Sequence, residues 1–295
     1  MKKLKIAVLS DLHGNIIAFE EAIKDAKSQG VETFIVLGDI ITDLPITDEI
    51  IDRVKELTPY VIKGNREQYL LQYEQTKEDK KWKTIQSKSV VCYYDYIRED
   101  NKQYIRDLPE QLKLEFEGVT IRAVHGSPYS ITELLYFNTS LMEKVFLDLQ
   151  EDILVYGHNH RVARYEERNG KIVLQVGTLG MHNNGIGIPQ YSILECKNGK
   201  VNIEIRNVNY SREELKNKIK QVGGTYPEAK VWQNLCYQTL IHTEDIRREF
   251  CHMAKDMMIE KYNGQLPQGF DSHFESFDDD IYKEVSKKFE KYFIL

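Results

Sequence analysis

Short apolar runs closed by glycine or polar turns recur through the first two-thirds of the chain. KIAVLS (5–10) reads as a first strand. In the stretch that follows, Ile16, Ile17, Phe19, Ala22, Ile23 and Ala26 fall at helical spacing, and Gly30 is placed to end that helix. TFIVLG (33–38) reads as a second strand, TDEIIDRVKEL (47–57) as a second helix and PYVIKG (59–64) as a third strand. Strands alternating with helices at this spacing predict parallel βαβ units. Hairpins follow: one turns around Gly118, one at Asn169-Gly170 and one at Asn198-Gly199, with DILVYG (152–157) as a strand between the first two.

Two regions break the pattern. Residues 66–109 are charged and aromatic, and predict a helical insertion that either covers one edge of the core or forms a substrate lid. From about residue 210 the strand alternation gives way to helical periodicity, opened by Ser211 and Glu214 at capping-box spacing. The expected organisation is a catalytic domain over 1–209, carrying the insertion, and a helical C-terminal appendage over 210–295 outside the catalytic core.

Composition narrows the function classes. The net charge of -6 over 295 residues carries no basic excess of the kind a large nucleic-acid footprint needs, although a local patch stays open. No apolar run approaches membrane-spanning length, so no membrane span is expected. Cys92, Cys196, Cys236 and Cys251 are scattered without a paired spacing and read as reduced packing thiols, which points to the cytoplasm.

The candidate chemistry sits at the strand ends. SDLHGN supplies Asp11 and His13, LGD supplies Asp39, KGN supplies Asn65, VHG supplies His125, and GHNH supplies His158 and His160. Each group follows a β-like run and lies beside a glycine, which lets the backbone turn sharply. Ligands of open α/β folds bind beyond the carboxyl ends of the parallel strands, so these seven side chains are expected to converge. One divalent ion uses three or four protein ligands, so seven residues with Asp39 as the bridge suit two ions. Carboxylate, amide and imidazole donors suit manganese first, with iron, zinc, nickel or cobalt as alternatives. His182, in a glycine-rich loop, is a further candidate to face the site. His242, His252 and His273 are expected at the surface or in packing.

As a set, these motifs resemble the calcineurin-like metallophosphoesterases, most closely the compact bacterial and archaeal phosphodiesterases, over residues 4 to 208. The resemblance implies a four-layered αββα sandwich of two mixed sheets flanked by helices, with a binuclear site. Asp11, His13, Asp39 and His160 would hold one ion, and Asp39, Asn65, His125 and His158 the other. It also implies a hydrolase whose substrate is a small phosphorylated molecule. Two ions about 3.5–4 Å apart would lower the pKa of a bridging water, whose hydroxide attacks phosphorus in line. Many relatives carry histidine after the G-N pair. Here Arg66 stands there, which can clamp phosphate oxygens but not donate a proton near neutral pH. Its structural alternative is an ion pair with Glu67 or another carboxylate. Asn15 is either a second phosphate contact or the cap of the following helix. The rival readings are a nuclease, a protein phosphatase and a non-catalytic metal-binding scaffold.

Overall fold

The computed structural model describes residues 3–84, 87–182, 185–224, 226, 229–242, 245–266 and 277–295, and His273 and the Asn183–Asn184 pair lie outside them. Along the chain the elements are β1 (Leu4–Leu9), α1 (Ile16–Ser28), β2 (Thr33–Val36), α2 (Asp48–Leu57), α3 (Asn65–Gln75), α4 (Lys88–Tyr96), α5 (Glu99–Asp107), β3 (Gln111–Phe116), β4 (Val119–Val124) and α6 (Ser140–Asp148). They continue as β5 (Ile153–Tyr156), β6 (Arg164–Arg168), β7 (Lys171–Gln175), β8 (Gln190–Lys197), β9 (Lys200–Asn207), α7 (Arg212–Gly223), α8 (Lys230–Ile241), α9 (Ile246–Lys261) and α10 (Asp279–Phe289).

The strands form two mixed sheets, ordered β2-β1-β8-β9 and β3-β4-β5-β7-β6. β1 pairs parallel to β2 and antiparallel to β8, while β4, β5 and β7 run parallel. Alternation along each strand decides the layers. Ile6, Val8, Ile35 and Leu37 of the first sheet pack on Val119, Ile121, Ile153, Val155 and Leu174 of the second. The alternate residues Ala7, Leu9, Phe34, Val36 and Ile193 face α1 and α2. On the outer face of the second sheet, Leu154, Tyr156 and Val173 meet Met142 and Val145 of α6. The order helix, sheet, sheet, helix is the four-layered αββα sandwich that the resemblance implies. The hairpin turns fall where expected, with positive φ at both Asn169-Gly170 and Asn198-Gly199.

The third predicted strand is shorter than its apolar pattern. Among the described residues, 59–64 contributes a single parallel bridge, Val61 to Val36. Pro59 brings no N–H to the ladder, and the Lys63 amide is taken by Pro109 O at 2.7 Å before Gly64 turns the chain into α3. The sequence pattern also gave no sign of α6.

The described residues of 66–109 are mostly helical, and they are built into the main core: Leu70, Tyr73, Trp82, Val90, Tyr94 and Ile105 belong to the same buried cluster as α1 and α2. Leu215 and Ile219 of α7 and Cys236, Tyr237 and Leu240 of α8 join that cluster too. α9 and α10 instead share a second core around Phe250, Tyr282, Val285 and Phe289.

Candidate metal centre

Apolar strands that run out at one edge place the polar residues there. Asp11 and His13 leave β1, Asp39 leaves β2, Asn65 opens α3, His125 leaves β4, and His158 and His160 leave β5. The loops are laced together by backbone bonds, from Asp11 N to Gly38 O at 3.2 Å, His13 N to Asp39 O at 2.8 Å and Gly157 N to His125 O at 3.0 Å. Asp11, His13, Asp39, His158 and His160 all have positive φ, between 45° and 67°. Left-handed backbone is costly for residues other than glycine and persists where the surroundings impose it, often at functional sites.

All seven predicted ligands converge. The donor atoms of Asp11, His13, Asp39 and His160 lie within 4.8 Å of one another, as do those of Asp39, His125 and His158. Asn65 joins the second group through Oδ1, 2.8 Å from His125 Nε2. Asp39 belongs to both groups, with Oδ2 3.6 Å from His13 Nε2 and Oδ1 3.4 Å from His125 Nε2.

The rings are held from behind. His125 Nδ1 meets Leu37 O at 2.7 Å, His160 Nδ1 meets Met181 O at 2.9 Å and His158 Nε2 meets Thr132 O at 3.2 Å. Such contacts fix the ring and leave the other nitrogen for a ligand. His13 Nε2 and His160 Nε2 approach to 3.1 Å. The buried Asp11 Oδ1 lies 3.2 Å from His160 Nε2 yet has no aligned hydrogen-bond donor. Converging imidazole lone pairs and an orphaned buried carboxylate oxygen are a donor set that a divalent cation satisfies, so these residues fit a metal centre.

Electrostatics favour the ligating forms of Asp11, Asp39, His13 and His158. Burial works to raise the Asp11 carboxyl, but the His160 ring prevails and it sits at about 2. Asp39 is likewise held below the usual carboxylate range, with His125 outweighing burial. Burial pushes His158 down to about 4 and lowers His13, so both rings are neutral near pH 7. His125 goes the other way: burial opposes it, but Asp39 beside it raises it to about 9.

The remaining candidates take defined places. Asn15 Oδ1 accepts Ala18 N at 3.1 Å, capping α1, and Asn15 Nδ2 donates to Gly180 O at 3.3 Å. Arg66 N donates to Asp39 Oδ1 at 2.8 Å, and its guanidinium lies 3.5 Å from Asp43 Oδ2. Its carboxylate neighbour is therefore Asp43, because Glu67 is occupied by the amides of Asp39, Ile40 and Gly64 at 2.8–2.9 Å. His182 is buried against Tyr210, 2.9 Å from its hydroxyl, and belongs to neither ligand group.

The sequence offers no role for Asp43, and offers Glu67 only as an ion-pair partner of Arg66. Asp43 is buried, with Oδ2 3.1 Å from His13 Nδ1. Its one sequence signal is an acidic residue inside the apolar stretch IITDLPI.

Comparison with known proteins places the fold. The family model described as the calcineurin-like phosphoesterase superfamily domain matches residues 4–199. An uncharacterized protein of Methanocaldococcus jannaschii is 26% identical over 239 residues, covering 74% of this chain and 93% of that one. Among solved structures, a hypothetical protein of Pyrococcus horikoshii superposes with a TM-score of 0.64 at 20% identity, covering 81% of this chain and 98% of that one. A metallophosphoesterase from Sphaerobacter thermophilus superposes with a TM-score of 0.60 at 20% identity, covering 76% and 97%.

Proposed function

This chain belongs to the calcineurin-like phosphoesterase superfamily, and from that premise we propose that it hydrolyses a small phosphate ester, a phosphodiester in preference, at a binuclear metal centre. The observation that carries the reading is the sharing of Asp39 between two ligand groups. Asp11, His13, Asp39 and His160 would hold one ion and Asp39, Asn65, His125 and His158 the other, manganese being the first choice. When bound, such a pair supplies an activated water and neutralises the phosphoryl charge.

The chain's own residues do the rest. Asp39 presents one oxygen to each group, and its ionised state keeps both oxygens available as acceptors. Neutral His13 and His158 offer lone pairs without a proton to displace. Arg66, at the start of α3 and partly exposed, orients the phosphoryl oxygens and meets the charge that grows on them. It stays protonated, so it donates no proton to the leaving oxygen. Esters with good leaving groups are therefore preferred. Asn15 acts by holding α1 and the loop at Gly180, and so keeps the Asp11–His13 turn in place. A cleft of about 480 Å³ lined by Lys63, Gln68, Tyr69, Gln72, Glu110 and Thr132 lies beside α3 and the carbonyl that holds His158. We assign it to the non-reacting part of the substrate.

The test is turnover by the Mn(II)-loaded full chain on bis-p-nitrophenyl phosphate and on p-nitrophenyl phosphate. The expected result is chelator-sensitive hydrolysis, faster on the diester and abolished in Asp39→Asn. Metal bound without turnover on either ester would favour the scaffold reading instead.

A further inference from the structure

Asp43 is a buried charge with no part in the chemistry above. Its side chain is fully buried and its backbone sits at a φ of 64°. The groups around it come from far apart in the chain. His13 Nδ1 lies 3.1 Å from Oδ2, a close contact not aligned as a hydrogen bond. Arg247, in the first turn of α9, donates Nη1 to the same oxygen at 2.9 Å. Trp232, on α8, donates Nε1 to Oδ1 at 2.9 Å. Arg66 stands at 3.5 Å, and the Tyr93 hydroxyl donates to the backbone carbonyl at 3.4 Å.

An Asp43–Arg247 pair could serve only to anchor the C-terminal helices. The shared oxygen argues for more. His13 turns Nε2 toward the ligand group and Nδ1 toward the oxygen that Arg247 grips. A carboxylate this close to Nδ1 favours the tautomer with a free Nε2 and restricts the ring, and a small turn of the ring aligns the pair. That carboxylate is itself stable in a buried place only while its cationic and N–H partners are present.

We propose that Arg247 and Trp232, acting through Asp43, are positioning residues for His13, so that the C-terminal helices complete the metal centre. This sets aside the expectation that residues 210–295 lie outside the catalytic core, and it rests on the metal-centre reading given above.

The experiment uses the full chain, stripped with a chelator and titrated with Co(II), followed by calorimetry and by the visible absorption of the bound ion. Loss of an outer partner of a metal-binding histidine typically weakens affinity about 10–100-fold. Arg247→Ala is expected to lose that much for one ion, with a changed cobalt spectrum. Arg247→Lys is expected to recover most of it, because the charge is kept. Arg248→Ala, one residue on and partnered by His252 at the surface, is expected to match the wild type. If Arg247→Ala binds Co(II) with wild-type affinity and spectrum while its melting temperature falls, the pair is only an anchor and the proposal is overturned. Should that variant not fold, Trp232→Phe decides by the same readout, since it keeps an aromatic ring and removes the N–H. A wild-type chain that binds no Co(II) overturns the metal-centre reading itself, an outcome distinct from equal binding by wild type and variant.

Discussion

The carboxylate of Glu67 accepts the backbone amide of Asp39 at 2.9 Å, joining the end of β2 to the start of α3. It also accepts Ile40 N and Gly64 N, both at 2.8 Å, so one side chain satisfies the amides around Asp39. Burial, and then the Asp39 charge, push its carboxyl up to about 7, against the pull of those amides. Replacing it strands buried donors at about 1–3 kcal/mol each. Glu67→Ala should therefore unfold at a much lower urea concentration than the wild type. Glu67→Gln, which keeps one acceptor oxygen, should fall between the two.

Gly157 tests how tightly the β1 and β5 loops approach. A Cβ there would lie 1.9 Å from Ser10 Oγ and 2.7 Å from Asp11 Oδ2. Gly157→Ala should push Asp11 off its position and weaken metal binding at least about 10-fold, in the range seen when a ligand's supports are disturbed. Far-ultraviolet circular dichroism should change little. Equal metal affinity in the variant would mean that the loops yield without moving Asp11.

The candidate ligands are legible because each follows an apolar run beside a glycine, a signal confined to a few neighbouring residues. Asp43 and Arg247 are not, because 204 residues separate them and neither belongs to a local pattern. The segment 59–64 looked like a strand by composition, yet Pro59 and the use of Lys63 N by Pro109 cut its pairing to one bridge. The helices between 66 and 109 could be seen, but their place in the main core depended on Tyr73, Trp82 and Tyr94 meeting edge to face. That contact has no signature in sequence spacing.

Arg66 carries the proposed phosphoryl contact. Removing one stabilising donor of that kind typically costs about 10²–10³ in kcat. Arg66→Ala should lose that much on a diester while retaining its metal. Arg66→Lys should recover part, since lysine keeps the charge and loses the two-pronged donor. Arg66→His should improve the relative rate on esters with poor leaving groups, because imidazole can supply a proton. Wild-type kcat in all three would reduce Arg66 to a structural partner of Asp43.

Asp25 on α1 predicts a pH dependence of stability. It accepts Arg206 Nη2 at 2.7 Å, Arg206 Nε at 3.0 Å and the Tyr191 hydroxyl at 2.7 Å, tying α1 to β8 and β9. The Arg206 hydrogen bonds come first among the causes that lower its carboxyl below 3.8. A carboxyl lowered on folding adds stability that is fully present above its unfolded pKa and is lost as the pH falls through the folded one. Asp25→Asn should cost about 1 kcal/mol at neutral pH, the scale of a well-formed but partly exposed pair. The gap in melting temperature should close as the pH is lowered below about 4.

If Asp39 joins two ions in one site, as proposed, the metal content of the chain shows it. The full chain would be stripped, dialysed to equilibrium against Mn(II) and analysed by elemental mass spectrometry, alongside Asp39→Asn. Two ions per wild-type chain are expected, with the loss of both, or a large fall in affinity for both, in the variant. One ion per wild-type chain, or two that survive in Asp39→Asn, would contradict the proposal.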